Sequence, residues 1–574
     1  MLQPPRKTLK ITKTAASGAV QKDNKTNKSG RPATSKPYAK SGQPARSAPL
    51  APAPKSSPSS NGITDQRRPG KPTATDAAAA RPVVPASLSP SSSSNAPSAQ
   101  PNAYVHDTSG IEYLDIKADS LAFSLVGAAQ AVAYVLDGVA LPQALAKVFT
   151  QSKATPQIKG AIQDISYRTM RQVGRVDALL TLMTTKAPEP ALLYGLLCCA
   201  LTLLVKNEAE EDQELPYEAF VVVDQAVNAA ASSSHMAHAK NMVNAILRRF
   251  LREQDSLLAT VIKQPAALWN YPQWWIDQCK AAYPDQWQAI LRTGNQHPPM
   301  TLRVNRRQIT TEAYLQTLAS EHIEAIQIGP YAVRLTKPVP VAQIPGFEQG
   351  WVSVQDAGAQ LAASLLDVQD GMRVLDACAA PGGKSCHILE TANVDLLALD
   401  ADPQRLGRID ENLARLQLSA EVKEGDASRS GWWDKQGFDR ILADIPCTAS
   451  GVVRRHPDIR WLRRKADAVQ LSTLSARILD NLWRMLKPEG KLLLVTCSIW
   501  PMESELQAAA FAKRHNAIRL DAPGQLLPTA IVADRITEQT TEQTAEQATE
   551  SDTTSAENND HDGLFYALFQ KPAA

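Results

Sequence analysis

Cys447, in Asp444-Ile445-Pro446-Cys447, and Cys497, in Thr496-Cys497-Ser498, each follow an apolar run that reads as a buried strand. A glycine-rich turn, Pro381-Gly382-Gly383-Lys384, lies upstream. A thiol beside a methyl-donor pocket permits one demanding reaction, methylation of a pyrimidine carbon. Cytosine C5 is too weak a nucleophile to take a methyl group unaided. A thiolate adding to C6 turns C5 into an enamine carbon that can attack the donor.

Ligands of an open parallel sheet bind beyond the carboxyl ends of its strands. The strand-like runs here end at Asp376-Ala377-Cys378, Asp400, Asp426, Asp444 with Pro446-Cys447, and Thr496-Cys497, which brings four carboxylates and the two thiols Cys447 and Cys497 to one rim. Gly382-Gly383-Lys384-Ser385 resembles the end of a phosphate-binding loop, but that motif needs Gly where Cys378 stands. The GxGxxG spacing of a dinucleotide site is missing as well, which weighs against a nicotinamide dehydrogenase. A nucleoside cofactor without a pyrophosphate fits better. Asp400 lies roughly twenty residues beyond the turn, where a carboxylate accepts hydrogen bonds from ribose hydroxyls. Asp402 beside it reads as a helix cap. Asp426 reads either as a turn residue or as part of the adenine side of the pocket. Cys378 and Cys386 read as small packed residues, and Cys198 and Cys199 as helix core.

A nucleophilic thiol must be partly thiolate, which needs a nearby positive field. Lys384 and the run Arg454-Arg455-His456-Pro457-Asp458-Ile459-Arg460-Trp461-Leu462-Arg463-Arg464 are the candidates to supply it. That run, with Trp461 available for stacking, is also the best nucleic-acid footprint in the folded body, through Arg454, Arg455, His456, Arg460, Arg463 and Arg464.

The elements that must position these groups begin at residue 372. From there strand and helix signals alternate, which predicts a parallel sheet with helices on both faces, closed by the strand-like LFYALFQK. WVSVQD and AQLAASLLDV lead into it, so the catalytic part runs over 351–574. Within it, about 536–562 is a low-complexity acidic insert, read as a disordered loop before the last strand. Residues 113–262 are helical throughout. Asp119 or Ser120 caps the first helix, Gly138 closes it, and Ala191–Val205 reads as a buried helix too short to span a bilayer. Arg248, Arg249 and Arg252 cluster on the last of these helices, where a solvated face competes with an RNA contact. Residues 263–350 read as a small α/β module preceded by Trp269, Tyr271, Trp274 and Trp275. Residues 1–112 are Pro, Ala, Ser and Lys with few large apolar side chains, and read as a disordered tail.

The formal net charge of +3 conceals an asymmetry. Residues 1–106 hold sixteen Lys/Arg against three Asp/Glu, while 537–562 holds eight Asp/Glu and no Lys/Arg. Any nucleic-acid affinity therefore comes from local patches plus the tail, whose Lys/Arg spacing gives weak, salt-sensitive attraction and which reads equally well as a solvated segment without a dedicated partner. Seven cysteines without paired CxxC spacing argue against a zinc module and a disulfide framework, and fit reduced cytoplasmic thiols. No metal is expected. The N-terminus has no apolar segment of a secretory signal; its basic, Ser-rich, acid-poor start leaves a transit peptide as the rival to a cytoplasmic site.

VLDACAAPGGKSCHILE, ILADIPCTASGVVRRHPDIRWLRR and LLLVTCS closely resemble the bacterial 16S rRNA cytosine-C5 methyltransferases of the RsmB (Sun/Fmu) type. The resemblance extends over roughly 116–574 apart from the acidic insert. It implies a multidomain protein with an all-α NusB-like RNA-binding domain, a small α/β subdomain and an α/β Rossmann-like class I methyltransferase domain. It further implies that Cys378, Ala379, Ala380, Pro381, Gly382, Gly383 and Lys384 wrap S-adenosylmethionine, with Asp400, Asp426 and Asp444 completing the site. Asp444 would also hold the target base, Cys497 would attack C6, and Cys447 would assist proton removal and product release. The implied substrate is 16S rRNA, unassembled or in an early small-subunit intermediate, at the cytosine in position 967 of that RNA, and the implied protein is a monomer. Ile445 replaces a common Ala, and Thr448-Ala449-Ser450 varies the stretch after Cys447; neither removes a reacting group. The same chemistry on tRNA or another RNA, and a non-catalytic RNA-binding assembly factor, are the rivals.

Overall fold

The computed structural model describes residues 116–152, 154–206, 215–529 and 560–573. The expected disordered tail, and the acidic insert as far as 559, lie outside the described residues. The chain opens with α1 (Leu121–Leu136), α2 (Leu141–Ser152), α3 (Pro156–Met183), α4 (Ala191–Leu204), α5 (Ala219–Ala231) and α6 (Lys240–Val261). Ser120 caps α1 by accepting from the Phe123 amide at 3.2 Å. α1 packs against α2 to α5, and its Leu125, Ala128 and Val132 are fully buried. α4 is apolar nearly all round because nearly all of it is core, Cys198 and Cys199 included. No helix among the described residues is long and apolar enough to cross a membrane.

β1 (Met300–Val304), β2 (Ala325–Gln327), β3 (Ala332–Leu335) and β4 (Val352–Val354) form an antiparallel sheet in the order β2-β3-β1-β4. β4 is the WVSVQD segment, which the sequence had assigned to the catalytic part. It pairs instead with β1, with Leu302 opposite Val354, because its short strand completes the small sheet's edge. The aromatic residues before this module take another course. Tyr271 and Trp275 are buried against Val453, Ile499 and Trp500, directly beside the two cysteine loops.

The large sheet holds β5 (Arg373–Ala377), β6 (Asp395–Asp400), β7 (Glu421–Glu424), β8 (Phe438–Asp444), β9 (Leu486–Thr496), β10 (Ile518–Leu526) and β11 (Leu564–Gln570), in the order β10-β11-β9-β8-β5-β6-β7. The five strands from β7 to β9 are parallel, as expected, but β11 runs antiparallel to both β9 and β10. Side chains alternate between faces. Leu375, Leu397, Ile441, Leu492 and Leu494 pack with Ile478, Leu479, Leu482 and Phe511 of the helices Lys465–Met485 and Glu505–His515. Val374, Leu396, Ala398, Leu442, Leu493 and Val495 face the helices Leu361–Leu366, Gly383–Thr391 and Pro403–Arg415. A sheet covered on both faces leaves its strand ends as the place for chemistry.

Candidate active site

β5 and β8 are neighbours, yet the chain leaves them in opposite directions, toward β6 and β7 on one side and β9 on the other. Their carboxyl ends therefore flank a crevice, and the turn after β5 and the Asp444–Cys447 loop after β8 are its walls. Gly382 starts the helix Gly383–Thr391 at φ +95, a backbone conformation that strains any side chain. A Cβ on Gly383 would meet only Gln355 Nε2 at 3.8 Å, so the turn presents open backbone. Arg303, buried on β1, fixes this turn from behind. It donates to Gly383 O at 2.8 Å and to Gln355 Oε1 at 2.6 Å, and forks onto the buried Glu390 carboxylate at 2.7 and 2.8 Å.

Lys384 Nζ lies 2.6 Å from Asp444 Oδ2. Burial works against its ammonium, but the Asp444 carboxylate outweighs it, with smaller help from Cys497 and Asp376, and holds the group charged above the usual lysine range. Asp400 Oδ2 accepts from the Ala380 amide at 2.9 Å and Oδ1 from the Asp402 amide at 3.0 Å. Oδ2 also pairs with Arg405 at 3.7 Å, and the carboxylate retains acceptor capacity that suits ribose hydroxyls. Asp402 caps the following helix through Gln404 N at 3.0 Å. Asp426 serves its own turn through Ser428 N and Oγ and pairs with Arg429 at 3.2 Å, while staying half-exposed at the end of the β7 rim. An open glycine turn, unsaturated carboxylate acceptors on the adjoining strands and no phosphate cradle fit a nucleoside donor such as S-adenosylmethionine.

The two thiols meet. Cys447 Sγ and Cys497 Sγ are 3.4 Å apart. Contact with the Cys497 sulfur, then burial, then the Glu503 charge hold the Cys447 thiol well above its ordinary pKa. Either sulfur can donate in that contact. Burial pushes Cys386 up to about 12 and Cys378 higher still, which leaves both inert. Gly451 crosses behind the thiols, its amide donating to Cys497 O at 2.8 Å, and a Cβ there would collide with the Gly563 carbonyl.

The basic run after Cys447 is placed differently from expectation. Arg454 is fully buried and pairs with Asp562 at 2.6 Å and Asp560 at 2.5 Å. Arg455 bridges Asp562 and Asp356 at 2.5 and 3.0 Å. Arg460 is fully buried, donates to Gly294 O at 2.6 Å and to Asn295 Oδ1, and lies over the Tyr271 ring. Trp461 donates to Met170 O at 3.0 Å instead of offering a stacking face, and Asp458 accepts from the Leu141 amide at 2.8 Å. Burial lowers the His456 pKa, so its ring is neutral. These side chains fasten the loop to α2, α3 and the small module. Arg454 and Arg460 are thus corrected from RNA contacts to interior supports, because buried acceptors and carboxylates already hold them. Of the run, Arg464 is exposed and Arg463 half-buried, its Nε donating to Thr448 O at 3.2 Å.

Sequence reasoning missed Glu503, Asp356, Asp562 and the Arg303–Glu390 pair. For Glu503 the available signal was an acid closing the apolar run Ile499-Trp500-Pro501-Met502, which begins two residues after Cys497.

Residues 363–570 match the family described as 16S rRNA methyltransferase RsmB/F, and 271–342 match the ferredoxin-like domain of the RsmF/B-like methyltransferases. The ribosomal RNA small subunit methyltransferase B of Cronobacter sakazakii is 39% identical over 406 residues, covering 69% of this chain and 91% of that protein. Its counterpart in Pasteurella multocida is 39% identical over 455 residues, covering 77% and 95%. The chain belongs to the 16S rRNA methyltransferase RsmB/F family. A solved structure titled PH0851 shares the fold at 20% identity, with a TM-score of 0.58 over 80% of this chain and 100% of that one. As an RsmB/F member the chain is a methyltransferase and takes S-adenosylmethionine as its donor.

Proposed function

We propose that this enzyme methylates C5 of a cytosine in 16S rRNA through a covalent bond between Cys497 and C6. The 3.4 Å contact of Cys447 and Cys497 at the mouth of the β5/β8 crevice carries the reading. A base flipped into that crevice meets both sulfurs, and flipping is cheapest from a loop. S-adenosylmethionine supplies an electrophilic methyl group on a sulfonium. Among the protein's own groups, Cys378 to Lys384 line the donor side, Asp400 and Asp426 are the polar acceptors for its nucleoside, and Asp444 faces both donor and base. Lys384 supplies the positive charge that favours a thiolate at Cys497. Cys497 adds to C6 and C5 becomes nucleophilic.

Addition turns the Cys497 sulfur into a neutral thioether. That removes the first cause of the raised Cys447 pKa, so once the adduct exists Cys447 releases its proton to solvent more readily and stands as a thiolate. Once C5 has taken the donor's methyl group, the Cys447 thiolate takes the C5 proton, the C5–H electrons re-form the C5–C6 double bond, and Cys497 leaves as a thiolate. The division of labour between the two thiols is the one the family resemblance implies, and their contact is compatible with it.

The helical unit α1–α6 is proposed to be the NusB-like RNA-binding domain, with the exposed Arg248 and Arg252 of α6, together with Arg463 and Arg464, making phosphate contacts that orient the RNA. Unassembled 16S rRNA or an early small-subunit intermediate as substrate, a monomeric enzyme and a cytoplasmic site belong to the same proposal through the family resemblance. Bisulfite sequencing of 16S rRNA and tRNA from cells lacking the gene is the test. Loss of one 16S methylcytosine, restored by the wild-type gene but not by C497A, is the expected result. Loss confined to tRNA, or none, overturns it.

A further inference from the structure

Glu503 lies five residues beyond Ser498, where the chain turns into the helix Glu505–His515. It is only 2% exposed, and its carboxylate accepts three hydrogen bonds. Oε1 accepts from the Thr448 amide at 2.9 Å, and Oε2 from Thr448 Oγ1 at 2.5 Å and from Ser498 Oγ at 2.6 Å. Thr448 directly follows Cys447, and Ser498 directly follows Cys497. One carboxylate thus joins the two cysteine loops, which come from different strands. Their remaining groups close around it. Ser498 Oγ lies 3.0 Å from Ser450 Oγ and accepts from Trp500 N at 3.0 Å, and Ser450 Oγ accepts from Ile499 N at 2.9 Å. Only a carboxylate offers acceptor capacity for three donors from two loops with no donor of its own to misplace. A buried acid also costs desolvation, visible in the raised Glu503 pKa, so a purely structural junction had cheaper solutions.

We propose that Glu503 is a positioning residue for methyl transfer, its carboxylate fixing the separation of the Cys447 and Cys497 sulfurs. The proposal rests on the roles given to the two thiols above. A base attacked at C6 and deprotonated at C5 presents two adjacent atoms, so the sulfurs serving them must be held in register to within a fraction of an ångström.

The test uses full-length E503Q, which keeps shape but loses charge and turns an acceptor into a donor. Two quantities are measured: steady-state methyl transfer to a 16S rRNA transcript, and the rate at which diamide, as two-electron oxidant, joins Cys447 to Cys497. The expected result is a fall in kcat of about 100-fold with the donor KM unchanged, and disulfide formation slowed about tenfold. An unchanged kcat, an unchanged disulfide rate, or a loss expressed mainly in donor KM overturns the proposal. Should E503Q not fold, T448V removes one of the three hydrogen bonds and is read by the same criteria. Methylation that survives in C497A refutes the thiol mechanism itself, whatever E503Q shows, so the two failures are distinguishable.

Discussion

Lys384 and Asp444 form the one charged link across the mouth of the β5/β8 crevice that the described residues show, with Nζ 2.6 Å from Oδ2. Lys384 belongs to the turn that lines the donor side and Asp444 to the loop that ends in Cys447, so the pair ties the two halves of the chemistry together. Only 16% of the lysine side chain and 30% of the aspartate side chain are exposed, which keeps solvent from screening their charges. Replacing Lys384 by Gln removes a cation whose charge interacts with Cys497. Adduct formation with RNA carrying 5-fluorocytosine should slow by about an order of magnitude, read as the rate of a gel-shifted protein band. An unaltered rate would show that Lys384 does not support the thiolate.

The thiols separate by their single variants. C497A should form no adduct and transfer no methyl group. C447A should still add to C6 and then stall, because nothing takes the C5 proton, and should accumulate as a covalent enzyme–RNA complex. Denaturing gels with labelled RNA distinguish these outcomes, and adduct in C497A but not in C447A would exchange the roles.

How far the sequence carried the reading depended on whether each feature is local. Strand ends, the glycine turn and the cysteine motifs are local, and the structure places Asp400, Asp444, Cys447 and Cys497 at the carboxyl ends of their strands. The pairing of Lys384 with Asp444, or of Glu503 with two loops, joins residues distant in the chain and has no periodic signature. Arg454 and Arg460 show the opposite failure. A run dense in arginine reads as a solvated or RNA-facing surface until the buried Asp562 and Asn295, and the half-buried Asp560, that hold it are known. The antiparallel β11 was invisible because its apolar pattern is that of any buried strand, and direction is not written in composition.

Asp376 makes stability depend on pH. Its carboxyl is fully buried at the end of β5, accepts from Ser385 Oγ at 2.6 Å, and is pushed up to about 7, first by burial. The unfolded chain releases this proton near the ordinary carboxylate range, so between about 4 and 7 the folded state binds one proton more. Stability from this group is therefore greatest at low pH and falls as pH rises toward 7. D376N, which keeps the hydrogen bond without titrating, should remove that slope, worth at most about 4 kcal/mol across the window. Urea denaturation of both proteins at a series of pH values measures it, and parallel curves would contradict it.

Arg460 and Arg464 stand four residues apart in one basic run but should behave as opposites. Arg460 is fully buried with backbone and Asn295 oxygens as partners, and R460M leaves those acceptors unsatisfied. The loss should be about 3 kcal/mol of stability, seen in urea or thermal denaturation. Binding of RNA by the fraction that remains folded should keep the same dependence on salt. Arg464 is exposed at the start of the helix Lys465–Met485. R464Q should leave stability nearly unchanged but lower the slope of log K against log salt by about 0.7 to 0.9, the release of roughly one counterion. Filter binding of a 16S rRNA fragment across a salt series separates the two. A reduced slope in R460M with no loss of stability would return Arg460 to the RNA-facing surface, against its burial on the Tyr271 ring.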